Sequence, residues 1–241
     1  MSRSPVARRR SPAARRRPRA QQRHDDLLRA GMELAGERGM AGVTHRAVAA
    51  RAGVSLGSTS YFFSSLDELL AEAIRSFVAR RSAELAALIY GGEVGDRRDG
   101  EDGDRRDGED GDRRDGESPA DLAARFAAAL TASDRTDALA EIEAYLHAAR
   151  HPELRPVVRE AFAAFERVTE AALRAGGSPR AAAGARAFNA LADGFLLRHL
   201  ADPQPGDEDA LREALLSLAI AYAMPDDERE RWRARLARAL G

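Results

Sequence analysis

Cysteine and lysine are both absent from the 241 residues, and tryptophan occurs once. Without cysteine there can be no disulfide framework, thiolate metal site or cysteine nucleophile. Because lysine is missing, all 38 basic residues are arginine, a bias that abundant alanine and glycine trace to a GC-rich coding sequence. No unbroken apolar run approaches the ~20 residues of a membrane span, so no membrane partner is expected and the location expected is the cytoplasm. A glycine-rich phosphate loop, a serine nucleophile elbow and an HExxH motif are also missing, so the chain is expected to be no enzyme and to need no cofactor. His147 and His151 have the four-residue spacing of metal ligands, but Pro152 follows at once and no third ligand is evident, so no metal site is expected. Glu141 and Glu143 fall on different sides of a helix and form no evident acid/base pair. The 44% hydrophobic content is enough for a small head and a larger helical core.

A net charge of −1 conceals a strong asymmetry. Residues 1–24 hold nine arginines and no acid. Residues 1–23 are expected to be a disordered arm in which Arg8, Arg9, Arg10, Arg15, Arg16, Arg17 and Arg19 meet phosphates or enter a minor groove. An export signal is the competing reading, yet no apolar run of 7–15 residues follows either arginine cluster.

Residues 44–63, THRAVAARAGVSLGSTSYFF, carry the densest signal. Thr44 can cap a helix whose small apolar stripe is Ala47, Val48 and Ala52, and Gly53 supplies the left-handed residue that ends it. Val54 plugs the corner. Ser55 is placed to cap a second short helix from whose first turns Leu56 to Tyr61 would project, as a recognition helix does in a major groove. Any helix-turn-helix corner of an all-helical protein has the same spacing, so the corner alone leaves the function open.

The flanks add to it. Leu27, Leu28, Ala30, Met32, Leu34 and Gly39, then Thr44, Arg46, Val48, Ala49, Ala52, Gly53, Val54, Ser55 and Gly57, then Tyr61, Phe63, Leu69 and Leu70 together resemble the N-terminal pattern of the tetracycline-repressor (TetR) family of bacterial transcription regulators. Departures from that pattern are Ser60 in place of a tyrosine, Phe62 in place of a frequent histidine, Leu66 in place of a phosphate-binding lysine, and Ala35 in place of a large aromatic. The resemblance implies a DNA interface drawn from Thr44, His45, Arg46, Ser55, Leu56, Gly57, Ser58, Thr59, Ser60 and Tyr61. Tyr61, Thr44 and Arg46 are candidates for phosphates; Ser58, Thr59 and Ser60 are candidates for base edges.

Between the helical regions, GDRRDGED stands at 95–102 and 103–110, and GDRRDGES at 111–118. These octads are acidic, glycine-rich and almost without apolar residues, so an insert at about 91–118 is expected to be disordered. Calcium loops are a weaker reading, because the paired arginines oppose a cation and no apolar residue docks a β-roll turn.

Elsewhere the pattern is helical, with segments at 65–90, 119–132, 134–150, 153–176, 179–200, 207–223 and 226–240 punctuated by Gly176–Gly177, Pro179, Pro203–Gly206 and Pro225. The expected fold is all-α: a three-helix head over 24–64 and a larger helical domain over 65–241. Broad apolar faces at about 179–223, with Gly194 within the first of them, would form a four-helix homodimer interface if the resemblance holds. An effector pocket is expected in the larger domain, with Phe126, Tyr145, His147, Phe162, Phe165, Asn189 and Asp193 as candidate contacts to an unknown small molecule. The family would make the chain a repressor that leaves a palindromic double-stranded operator when that effector binds. Two other classes stay open: a weakly specific architectural DNA binder driven by the arm, and a helical protein-interaction module.

Overall fold

Local chemistry sets where each helix begins and ends. The computed structural model describes residues 12–90 and 119–240, with the side chains of 12–18, 119–122 and 240 left aside, and no strand occurs among the described residues. The helices are α1 (Pro12–Arg38), α2 (His45–Arg51), α3 (Leu56–Phe62), α4 (Leu66–Tyr90), α5 (Pro119–Thr131), α6 (Arg135–Arg150), α7 (Arg155–Ala175), α8 (Ala181–Ala201), α9 (Asp207–Ala223) and α10 (Asp226–Leu240).

At the start of α4, Ser65 Oγ accepts from the Glu68 amide at 3.1 Å, and the Glu68 carboxylate accepts from the Ser64 amide at 2.6 Å. Two orphan amides are thereby satisfied, close to a capping box. The Ser64 hydroxyl and amide hold the Glu68 carboxyl below its ordinary range. Asp134 caps α6 in the same way, accepting from the amides of Thr136 and Asp137. Helix α7 closes on Gly177 (φ +80°), with Ser178 N donating to Leu173 O and Gly177 N to Arg174 O, the two bonds of a Schellman motif.

The chain forms two compact units, one of Met1–Phe77 with Leu139–Val158 and the other of Val78–Ala138 with Arg159–Gly241. The first unit is thus wider than the three-helix head expected over 24–64. It takes in the first half of α4 and, from the far side of the sequence, the end of α6 and the beginning of α7. Its core is built from Leu27, Leu34, Val43, Val48, Phe63, Leu69 and Ile74, all nearly inaccessible. Glu143 of α6 accepts from the Met40 amide at 3.1 Å, bracing the corner at Gly39, whose φ is +72°. Arg51 of α2 donates to Glu37 and Glu33 of α1, which lowers the Glu37 carboxyl's pKa chiefly through the hydrogen bond. The stability this pair adds is present above the ordinary carboxylate pKa and is lost as pH falls through the depressed Glu37 value.

One expectation is corrected here. Residues 12–23 are not a disordered arm; they form the first turns of α1. Pro12 suits the start of a helix. Apart from Pro18, which gives no amide to the helix ladder, the residues that follow are alanine, arginine and glutamine, strong helix formers, and because they extend a helix already fixed by buried Leu27, Leu28 and Leu34 they bear no nucleation cost. Arg8, Arg9, Arg10 and the octad insert at 91–118 lie outside the described residues.

In the second unit α5, α8 and α9 pack on one another around Ala127, Phe188, Leu211 and Leu215. The close crossing is at Gly184, where a Cβ would stand 2.8 Å from Leu173 Cδ1 and 3.2 Å from Tyr222 Cγ. Gly194, singled out in the sequence for such a role, meets nothing within 4 Å in this chain.

Gly53 gives a first prediction. It sits at φ +66° with open space around it, so its substitution tests backbone strain alone. Gly53→Ala should lower unfolding free energy by about 1–2 kcal/mol, and Gly53→Asn by less, because asparagine tolerates the left-handed region. Urea unfolding curves of the two variants check the ordering.

Candidate functional site

Helix α2 ends in a second Schellman closure: Val54 N donates to Ala49 O at 3.0 Å and Gly53 N to Ala50 O at 3.3 Å, with half-buried Val54 at the corner. The turn therefore has one geometry, and it sets the direction in which α3 leaves. Thr44 caps α2 as expected, its Oγ1 accepting from Ala47 N at 3.1 Å, and its exposed hydroxyl hydrogen stays available to a phosphate. Ser55 occupies the N-cap position of α3 without making the side-chain cap; its Oγ lies 3.0 Å from Ser58 Oγ instead.

Only seven residues long, α3 divides sharply by face. Leu56, Gly57, Ser60 and Tyr61 are exposed, Tyr61 to 81%. Ser58 and Phe62 are half-buried, and Phe62 is surrounded by the rings of His24, Tyr61 and Phe63. Arg46 is exposed and His45 half-buried on α2. Thr59 does not belong to the outward face. It is wholly buried, and its hydroxyl donates to Leu56 O at 2.7 Å. This corrects the expectation that Thr59 reads bases: its side chain lies on the core side with Phe63, so it cannot reach a groove. The remaining surface is small and uncharged, rich in hydroxyls, and able to come close to a base edge.

His24 was missed in the sequence. Its Nε2 lies 3.1 Å from Glu72 Oε2 and its ring stacks on Phe63 at 5.1 Å, tying α1 to α4 behind α3.

The second unit holds a cavity of about 500 Å³, the size range of small-molecule sites. Tyr90 of α4, Phe126 of α5, Thr169 of α7, Phe188 of α8, Ala219 of α9 and Ser178 between α7 and α8 are among its wall residues. Of the seven effector candidates, Phe126 lines it. Asn189 stands behind the wall, with its Oδ1 3.1 Å from Thr169 Oγ1, and Phe165 gives its carbonyl to the same hydroxyl at 3.2 Å. Phe162 and Asp193 do not line it. Tyr145 and His147 are in the other unit, where the Tyr145 hydroxyl donates to Glu141 at 2.7 Å and the His147 ring stacks on His151 at 4.0 Å. Burial, and then the neighbouring His151, push the His147 pKa down.

Residues 27–73 match the profile of the bacterial regulatory proteins of the tetR family, and residues 114–221 match that of the tetracyclin repressor-like C-terminal domain. A solved TetR-family member from Streptomyces coelicolor is 32% identical, with 81% of this chain and 97% of that one covered at a TM-score of 0.57. The chain belongs to the TetR family. Another solved relative, the multidrug binding protein EbrR complexed with ethidium, is 31% identical over 81% of this chain and 98% of its own, with a TM-score of 0.58. Its proflavin complex aligns at 30% identity over 81% and 99%, with a TM-score of 0.52. No curated protein matches the chain. As a TetR-family member, it is a DNA-binding transcriptional regulator built as a helix-turn-helix domain followed by a helical C-terminal domain.

The family pattern identified the corner but not the wall of the cavity, whose signal is small residues on facing helices. Ala172, Ala175 and Gly176 on one side and Ala219 and Ala223 on the other leave unfilled space between backbones. That alternation of turns is visible in the sequence once the helix pairing is known.

Thr59 gives a second prediction. Thr59→Ala should cost about 1–2 kcal/mol of stability, from the lost hydrogen bond and methyl contacts, while leaving the preferred operator bases unchanged. Sequence selection with the variant decides this; an altered motif would return Thr59 to the interface.

Proposed function

We propose that this regulator is a homodimeric repressor that binds a two-fold symmetric operator through α3 and leaves it when a small molecule occupies the cavity of the second unit. The observation that carries the reading is the division of α3: one face buried in the core, the other exposing Leu56, Gly57, Ser60 and Tyr61. A helix of that length reads too few bases alone, so two copies are needed, one helical turn (about 34 Å) apart along the groove. Leu197 on α8 and Ile220 on α9 are more than half exposed, and the open space at Gly194 allows close approach of another helix, which supports pairing through about 179–223. Arg46, Thr44 and Tyr61 would meet phosphates; Ser58 and Ser60 would meet base edges.

Release would run through α4, which gives Leu69 and Leu70 to the first unit's core and Ile89 and Tyr90 to the cavity wall. A ligand acts only through its difference in affinity for the two arrangements of the heads. EbrR is described as a multidrug binding protein, which supports a ligand-responsive reading here. Selection from a random duplex pool with the full chain is the test. A palindrome with half-sites one turn apart is expected; recovery of sequences with no common motif would contradict the proposal.

A further inference from the structure

The described lining of the cavity contains no carboxylate and no cationic side chain. Apart from Tyr90, Thr169 and Ser178 it consists of alanine, glycine, leucine, isoleucine and phenylalanine. Each of the three hydroxyls donates into the protein: Tyr90 to Val168 O at 3.3 Å, Ser178 to Tyr222 O at 2.9 Å, and Thr169 toward Phe165 O and Asn189 Oδ1. A hydroxyl has one hydrogen to give, so an occupant meets only oxygen lone pairs. Burial raises the Tyr90 phenol above its ordinary pKa, so that group stays neutral.

Among the described residues beside the wall, no charge supplies a counter-ion for a cation. Arg125 donates to Ile89 O at 3.2 Å and Arg180 to Ala221 O at 2.6 Å, so the guanidiniums stand on main-chain atoms in or beside the wall. Two described carboxylates on neighbouring turns are held by arginines, Glu170 by Arg174 and Asp226 by Arg229 at 2.6 Å. A cation entering this partly open pocket would exchange water for the faces of Tyr90, Phe126 and Phe188 with no described carboxylate beside them, and an anion would find no uncommitted hydroxyl donor in the lining; a neutral apolar molecule bears neither desolvation cost.

We propose that this cavity takes an uncharged, mainly apolar molecule, able to donate a hydrogen bond to the Thr169 and Ser178 oxygens, and selects against lipophilic cations such as the ethidium and proflavin of the EbrR complexes. The inference rests on the effector reading given above, and the test separates the two.

The probes are three dyes titrated into the full-length protein: neutral N-phenyl-1-naphthylamine, cationic ethidium and anionic anilinonaphthalene sulfonate. The neutral dye is expected to bind at least about tenfold more tightly than either charged one, because each charged dye must shed water without a counter-ion in the described lining. Ala219→Phe, which fills the cavity, should remove neutral-dye binding while helicity and thermal unfolding stay unchanged. Ala219→Glu should raise ethidium affinity relative to the neutral dye about tenfold. Ethidium binding as tightly as the neutral dye, and being expelled by Ala219→Phe, would overturn the charge selection and leave the effector site standing. Dye binding insensitive to both Ala219 variants would overturn the site itself, and the inference with it.

Discussion

Ser60→Glu should leave the protein folded and dimeric, and should weaken binding to its selected operator about a hundredfold or more. Ser60 is exposed on α3, so no core contact is lost by substitution. The effect therefore lies wholly in the interface. In the proposed complex a carboxylate on this face would be brought among phosphates, where like charge costs several kcal/mol and steers encounter away from the groove. Ser60→Ala provides the contrast: it should alter base preference at one position of each half-site with only a modest loss of affinity. Fluorescence anisotropy on a labelled operator gives both affinities, and sedimentation compares the assembly state of the variants with that of the parent. Retained affinity in the glutamate variant would remove α3 from the groove.

The largest expected loss of stability is at Phe63. The ring is 2% exposed, is among the bulkiest fully enclosed side chains, and stacks on His24 where α3 turns into α4. Phe63→Ala should cost about 3–5 kcal/mol, from lost transfer energy and the cavity left behind. Phe63→Leu, closer in volume, should cost under about 1.5 kcal/mol. A typical domain has only about 5–15 kcal/mol in total, so the alanine variant should have a much larger unfolded fraction and lose operator binding in proportion to it. Urea unfolding followed by circular dichroism gives the energies. A loss below about 1 kcal/mol for alanine would mean that the contacts around Phe63 repack freely.

Much of the architecture was legible because its punctuation is chemical. Ser65 with Glu68, Gly176–Gly177 and Gly206 each fix a helix end through an amide that needs an acceptor or a residue that needs positive φ. The helix-turn-helix was legible for the same reason, through Thr44 and Gly53. Thr59 was not. In a helix of two turns made of small polar residues, apolar periodicity is too weak to fix rotation, and a threonine satisfied by Leu56 O is as content in the core as at a groove. Tyr145 and His147 were grouped with Phe126 because all three lie on helices of the C-terminal half; that part of α6 is claimed by the first unit instead. The contact of Glu143 with Met40 spans 103 residues of sequence and leaves no local trace. The cavity is lined largely by side chains too small to fill it, on α7 and α9, and their proximity leaves no local trace in the sequence.

Whether this regulator reads sequence through α3 is tested most directly by measuring its affinity for the selected operator and for a scrambled duplex of equal length across a range of salt concentrations. The account predicts that both affinities fall with salt along similar slopes, because arginine–phosphate contacts are common to both, while their ratio stays at about a thousandfold or more. Equal affinity for the two duplexes at every salt concentration would contradict it, and would mark the chain as an architectural binder held to DNA by charge alone.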